Sequence, residues 1–244
     1  MSKPKNRKNY CLNNPNNQDY LSLRDELHKA FSQEEFIVEI PVTEDECIDI
    51  LEKNAKSKLK KVVLNQLNYS DDKSKVARLW KIDLEKDLLG IATSSKTTEC
   101  AILVLQKYES SYKLSVILIE LKSSIDNEEL IKIEEKFSCT MTRLYMLLIL
   151  NNHLNPIQGY NEETIFIDFQ GILFYKDGKF NGSNDSQLYS ILQNPNKSGK
   201  LNCETILKPQ DKIKIQCFEV LNDNLNYYTI SLETLLSNSI SDRQ

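Results

Sequence analysis

Glu120 and Lys122 close one of two strongly apolar runs in the chain, KLSVILIELK at 113–122. Side chains alternate along a strand, so Glu120 and Lys122 share one face and Leu121 takes the other. Val116 and Leu118 have the parity of Glu120. Two charges therefore emerge where an otherwise buried strand leaves its core. The preceding run, ECAILVLQ at 99–106, forms a hairpin with it around KYESSY. With Leu105 opposite Leu114, a step back on one strand matches a step forward on the other. Glu99 then arrives opposite Glu120, with Cβ atoms about 5 Å apart.

Like charges at that spacing are destabilising, and an acid pair beside an apolar layer needs a reason. A bound Mg²⁺ or Mn²⁺ supplies one. Mg²⁺ takes oxygen ligands and keeps several waters, so Glu99, Glu120 and the backbone carbonyl of Leu121 would hold it with positions left for water and a phosphate oxygen. Lys122 would stand beside the ion, orienting the attacking water or stabilising charge on the phosphate. The alternative is a hairpin whose solvated end carries Glu and Lys for solubility.

The elements that position these residues read as follows. Residues 1–19 are polar and Asn-rich, a flexible tail. Residues 20–74 form an N-terminal helical part, with a helix over 22–31, the extended FIVEI closed by Pro41, and a second helix from a capping box at Thr43 and Glu46 toward Lys60. Residues 75–244 form a mixed-sheet core with a C-terminal extension, the whole being one compact domain. The alternation of Val76, Arg78, Trp80 and Ile82 predicts a strand over 75–83. After the hairpin comes a long amphipathic helix over 127–151, with Phe137, Met141, Leu144, Tyr145 and Leu148 at helical spacing. TIFIDFQGILFYKDGKF is a strand bent at Gly171 or a split hairpin. A short helix near 186–193, strands near 204–207, 212–220 and 227–230, and a final helical turn complete the chain. The fold class is α/β, a mixed central sheet flanked by helices.

In residues and order of elements this resembles the PD-(D/E)xK phosphodiesterase superfamily, which includes restriction endonucleases, junction resolvases and other nucleases. Glu120-Leu121-Lys122 matches the E-x-K element on the third core strand, and Glu99 falls where the family's metal-binding Asp opens the second. Thr98 and Glu99 stand in place of the family's Pro-Asp. The resemblance covers about 43–170 and implies a restriction-endonuclease-like α-β-β-β-α-β core, a Mg²⁺ or Mn²⁺ cofactor and cleavage of DNA or RNA. Many such nucleases carry a helical Glu before the first strand, for which Glu52, and after it Glu46, are the candidates. The implied activity is metal-dependent hydrolysis of phosphodiester bonds. The alternative is a catalytically inactive nuclease-fold subunit that binds or regulates within a nucleic-acid-handling or defence assembly.

The acidic net charge argues against non-specific coating of nucleic acid and favours the non-catalytic alternative, but it is unevenly distributed. The net charge is −4, yet up to Lys81 there are 15 basic and 13 acidic residues, against 16 and 22 from Ile82 onward. Lys53, Lys56, Lys58, Lys60 and Lys61 make the densest basic cluster, either a solvated helix face or a phosphate-binding one. A homodimer or a protein assembly is an open partner. The apolar run Leu144–Leu150 falls far short of the roughly 20 residues that cross a bilayer, so no membrane is expected, and the cytoplasm is the expected compartment. Six cysteines without a CxxC pair read as reduced core thiols. His28 and His153 fall in no triad or metal-ligand spacing, and the six glycines form no nucleotide cradle. Asp168 and Gln170 read as a sheet face, and Arg143 as a core-edge residue whose alternative is a phosphate contact.

Overall fold

The computed structural model describes residues 36–84, 96–109, 111–150, 164–180, 185–205, 210–221 and 227–237. The expected tail, the helix over 22–31 and both histidines lie outside these residues. The strands are β1 (Ile37–Ile40), β2 (Ile48–Leu51), β3 (Lys61–Asn65), β4 (Lys75–Asp83), β5 (Cys100–Lys107), β6 (Ser111–Ile125), β7 (Thr164–Gly178), β8 (Ser198–Cys203), β9 (Asp211–Glu219) and β10 (Tyr227–Ser231). The helices are α1 (Asn127–Leu150), α2 (Gln187–Gln193) and α3 (Leu232–Ser237).

Seven strands form a mixed sheet in the order β1-β4-β5-β6-β7-β9-β8. β4, β5 and β6 are an antiparallel meander, α1 crosses over, and β7 returns parallel to β6. β9 is parallel to β7, and β8 antiparallel to β9. The central strands are covered on both faces, which is why their sequences run almost unbroken in apolar residues. Ala101, Leu103, Val116 and Leu118 face α1, packing with Leu130, Ile133, Phe137 and Met141. Ile102, Val104, Ile117 and Ile119 belong to a second core, under a three-stranded sheet ordered β10-β3-β2 and under α3.

α1 begins where Asp126 accepts hydrogen bonds from the backbone N–H of Glu128 and Glu129, at 3.0 and 2.9 Å, filling the N-cap role. Its central residues lie close over the sheet at Gly171, where a Cβ would stand 2.8 Å from Cε1 of Phe137 and 2.3 Å from Cδ1 of Ile215. β7 is one continuous strand through Gly171, not a hairpin, because it pairs with β6 along its length.

The helix expected from Thr43 to Lys60 does not form. That segment holds β2 and a loop, and β2 shows strand periodicity, Ile48 and Ile50 buried while Asp49 and Leu51 are exposed. The helical spacing of Cys47, Leu51, Ala55 and Leu59 marks no buried face, for Leu51 is 53% exposed. Residues 36–74 therefore contribute three strands, and the layer opposite α1 is a small sheet with α3 where helices were expected. Of the strand expected near 204–207, Glu204 and Thr205 lie outside any strand and the rest falls outside the described residues; β8 precedes them.

Candidate functional site

The β5–β6 register pairs Leu105 with Leu114 and ends with Cys100 opposite Ile119. One step further, Glu99 sits just before β5 and comes next to Glu120. The two carboxylates share the α1 face, and both are buried, Glu120 with 0% exposure. Lys136 of α1 reaches both, its Nζ lying 2.6 Å from Oε1 of Glu120 and 3.7 Å from Oε1 of Glu99. Lys122 stands 3.2 Å from the same Glu120 oxygen and 3.4 Å from Oε2 of Glu129, which also pairs with Lys132 at 2.9 Å. Glu129, Lys132 and Lys136 follow at spacings of three and four, the interval that stacks side chains on one helix face. The approach to Glu99 is fixed by Thr98, whose backbone N–H donates to Oγ1 of Thr140 at 2.9 Å.

Burial raises the pKa of Glu120 above the ordinary glutamate value, against the opposing pull of Lys136 and Lys122. Burial alone would lower Lys122, but Glu120 and Glu129 outweigh it and hold the ammonium above its ordinary range. Lys122 is thus a cation and hydrogen-bond donor at neutral pH, not a base. Oε2 of Glu120 is buried and makes no hydrogen bond. An acceptor of that kind calls for an ion or a water.

The structure places Glu99, Glu120 and Lys122 near one another, but Glu120 lies wholly buried under α1 and not, as expected, at the mouth of a pocket, and neither it nor Lys122 lines the cleft at Glu99. Leu121 pairs with Phe174 in the β6–β7 ladder, its side chain in the core opposite α1. Glu52 is not on a helix. It follows β2, donates its N–H to the carbonyl of Lys60, and accepts from the N–H of Asn54 through Oε1. Glu46 is exposed ahead of β2. A cleft of about 80 Å³ opens at Glu99, lined by Ile50, Leu51, Lys53, Lys81, Asp83 and Cys100, so the end of β2 borders it and Glu52 does not. Among the described residues no group of three or more His, Cys, Asp or Glu is disposed to hold a metal ion.

The lysine cluster lies on the β2–β3 loop and the start of β3, a correction of the expected basic helix. Ser123, the residue after Lys122, anchors the loop: its Oγ accepts the N–H of Lys58 at 2.6 Å and of Leu59 at 3.2 Å, and it hydrogen-bonds Ser57. Much of the charge is matched within the chain. Lys53 pairs with Asp83 at 3.4 Å, Lys58 with Asp177 at 3.3 Å and Lys61 with Asp49 at 2.7 Å, while Lys60 bonds the carbonyls of Asn54 and Ala55. Exposed pairs of this kind are worth about 0–1 kcal/mol and yield readily to another anion.

Sequence reasoning missed Lys136 and Glu129. A signal existed for Lys136: it adjoins Phe137 and follows Ile133 by three, beside the apolar stripe that covers the face bearing Glu120. Arg143 donates from Nη1 to the carbonyl of Leu84 at 2.8 Å and lies 5.4 Å over the ring of Phe36, a core-edge anchor. Asp168 pairs with Lys113 at 2.9 Å, and Gln170 donates to the carbonyl of Leu235. Cys100, Cys203 and Cys217 are buried free thiols, Cys139 is half-buried and Cys47 exposed. No helix among the described residues is long and apolar enough to cross a membrane. No protein-family model, no curated protein and no solved structure matches the chain.

Proposed function

We propose that the chain is a metal-dependent nuclease of the PD-(D/E)xK kind. The observation that carries this reading is the meeting of Glu99 and Glu120 on one sheet face around the ammonium of Lys136, with Lys122 3.2 Å from Glu120. A one-residue slip in the hairpin would send one acid to the opposite face. The order β4, β5, β6, α1, β7 supports the reading, whereas the helix expected before β4 is absent from residues 36–74.

The donor set suits a hard divalent ion in part. Glu99 and Glu120 would hold Mg²⁺ or Mn²⁺ with the carbonyl of Leu121, and the lone Oε2 of Glu120 is an oxygen ready for it. Two carboxylates with waters is a common complement for Mg²⁺. Such an ion supplies Lewis-acid polarisation of a phosphoryl oxygen and a more acidic bound water. Lys122, kept cationic by Glu120 and Glu129, offsets charge on the phosphate. The loop bearing Lys53, Lys56, Lys58, Lys60 and Lys61 is tied by Ser123 to the strand of the E-x-K element, where it would meet the nucleic-acid backbone.

The test is cleavage of DNA and RNA by purified protein with Mg²⁺ or Mn²⁺ and with EDTA. Metal-dependent cutting that falls by at least about 100-fold in Lys122→Ala and Glu120→Ala is expected. Equal cutting by wild type and both variants refutes the assignment.

A second reading, a nuclease-fold subunit that binds without turnover, is favoured by the ammonium of Lys136 standing between the carboxylates and by the zero exposure of Glu120. It predicts no rise in Tm with Mn²⁺, since only a ligand that binds the folded state raises it.

A further inference from the structure

We propose that Lys136 is the resident cation of the Glu99–Glu120 pair and that a divalent ion enters this site in exchange for its ammonium. The proposal rests on the reading of these two glutamates as metal ligands and adds what regulates their loading.

Charge balance carries it. Around Glu120 ion pairs join three carboxylates, Glu99, Glu120 and Glu129, to three ammonium groups, Lys122, Lys132 and Lys136. The formal charges of these six groups balance. A divalent ion added beside them would bring two excess positive charges next to a carboxylate with no exposure, and release of one ammonium to water halves that excess. Withdrawal of one ammonium is therefore favoured.

Geometry selects which one. Lys132 pairs with Glu129, and Lys122 is tied to Glu129 as well as to Glu120. Of these three lysines it is Lys136 that contacts both prospective ligands, and it takes Oε1 of each. Its side chain is 18% exposed at the edge of α1, so the flexible stem has a route to water that Glu120 lacks. It satisfies one oxygen of Glu120 and leaves Oε2 without a hydrogen bond, whereas a metal ion can engage either oxygen. The site thus has two cation-loaded states, and the ammonium-loaded one lowers the apparent metal affinity.

The test is Mn²⁺ binding by titration calorimetry, with Tm followed in parallel, on wild type, Lys136→Met, Lys136→Gln and the double variant Glu120→Gln/Lys136→Met. Lys136→Met is expected to bind Mn²⁺ at least about tenfold more tightly than wild type and to gain more Tm from it, while the double variant loses binding. Lys136→Gln, which keeps a donor for Oε1, should lie between. A single variant that folds only with Mn²⁺ also supports the exchange. Wild type binding Mn²⁺ with both single variants equal or weaker overturns the exchange and leaves the metal-ligand reading standing. No binding by any of them at millimolar Mn²⁺ overturns both. Failure of both single variants to fold, with or without Mn²⁺, shows that a metal does not replace the ammonium and overturns the exchange.

Discussion

The ammonium of Lys136 on α1 lies 2.6 Å from Oε1 of Glu120 on β6, joining the crossover helix to the strand it covers through a buried charge. Removing one member of such a pair costs about 3–5 kcal/mol, because the other is left uncompensated. Lys122 still contacts Glu120, so Lys136→Met should cost about 3 kcal/mol, the lower end of that range. Glu120→Gln/Lys136→Met should regain most of the loss. Urea denaturation of wild type, Lys136→Met, Glu120→Gln and the double variant measures the coupling, and strictly additive losses would show the pair to be energetically independent.

Gly171 tests how closely α1 approaches the sheet. A Cβ there meets the ring of Phe137 and the tip of Ile215, and the ring has little freedom to yield. Gly171→Val should therefore lower stability by about 1–3 kcal/mol through overpacking, read as a lower denaturation midpoint at unchanged slope. An unchanged midpoint would mean that the helix stands further off.

The hairpin was legible because two apolar runs of matched length leave few registers, and Leu105 opposite Leu114 carries Glu99 to Glu120. The helix over 127–150 was equally plain from its apolar spacing, and the structure adds its Asp126 cap. Residues 43–60 misled because a Thr-x-x-Glu box and four small or apolar residues at helical intervals imitate an amphipathic helix. Their strand state depends on pairing of β3 with β10, from the far end of the chain, which local periodicity does not contain. Lys136 escaped for a related reason: a lysine on a helix reads as solvated until the strand beneath it is known.

Asp71 gives a pH-dependent prediction away from the site. Burial alone would raise its pKa, but the hydroxyl of Tyr69 and the backbone N–H of Lys73 and Ser74 bind the carboxylate and hold the pKa below its ordinary value. A carboxylate depressed in the folded state contributes stability above its unfolded pKa, and that contribution is lost as pH falls through the folded value. Asp71→Asn should be less stable than wild type above about pH 4, the difference closing on further acidification. A pH-independent difference would exclude an ionic origin.

Ser123 links the lysine loop to the strand of the E-x-K element. Ser123→Ala removes the acceptor of two backbone N–H groups and should cost about 1 kcal/mol. Trypsin should then cut sooner around Lys58 and Lys60, and affinity for single- or double-stranded nucleic acid should fall, both read against wild type at one salt concentration. Unchanged trypsin cutting with unchanged affinity would separate the loop from the strand.

Anomalous diffraction from crystals grown with Mn²⁺ tests the central claim most directly. The expected map has a manganese peak in contact with carboxylate oxygens of both Glu99 and Glu120, Lys122 alongside and the ammonium of Lys136 withdrawn. A map with no manganese between these glutamates, and Lys136 still bonded to Glu120, would contradict it.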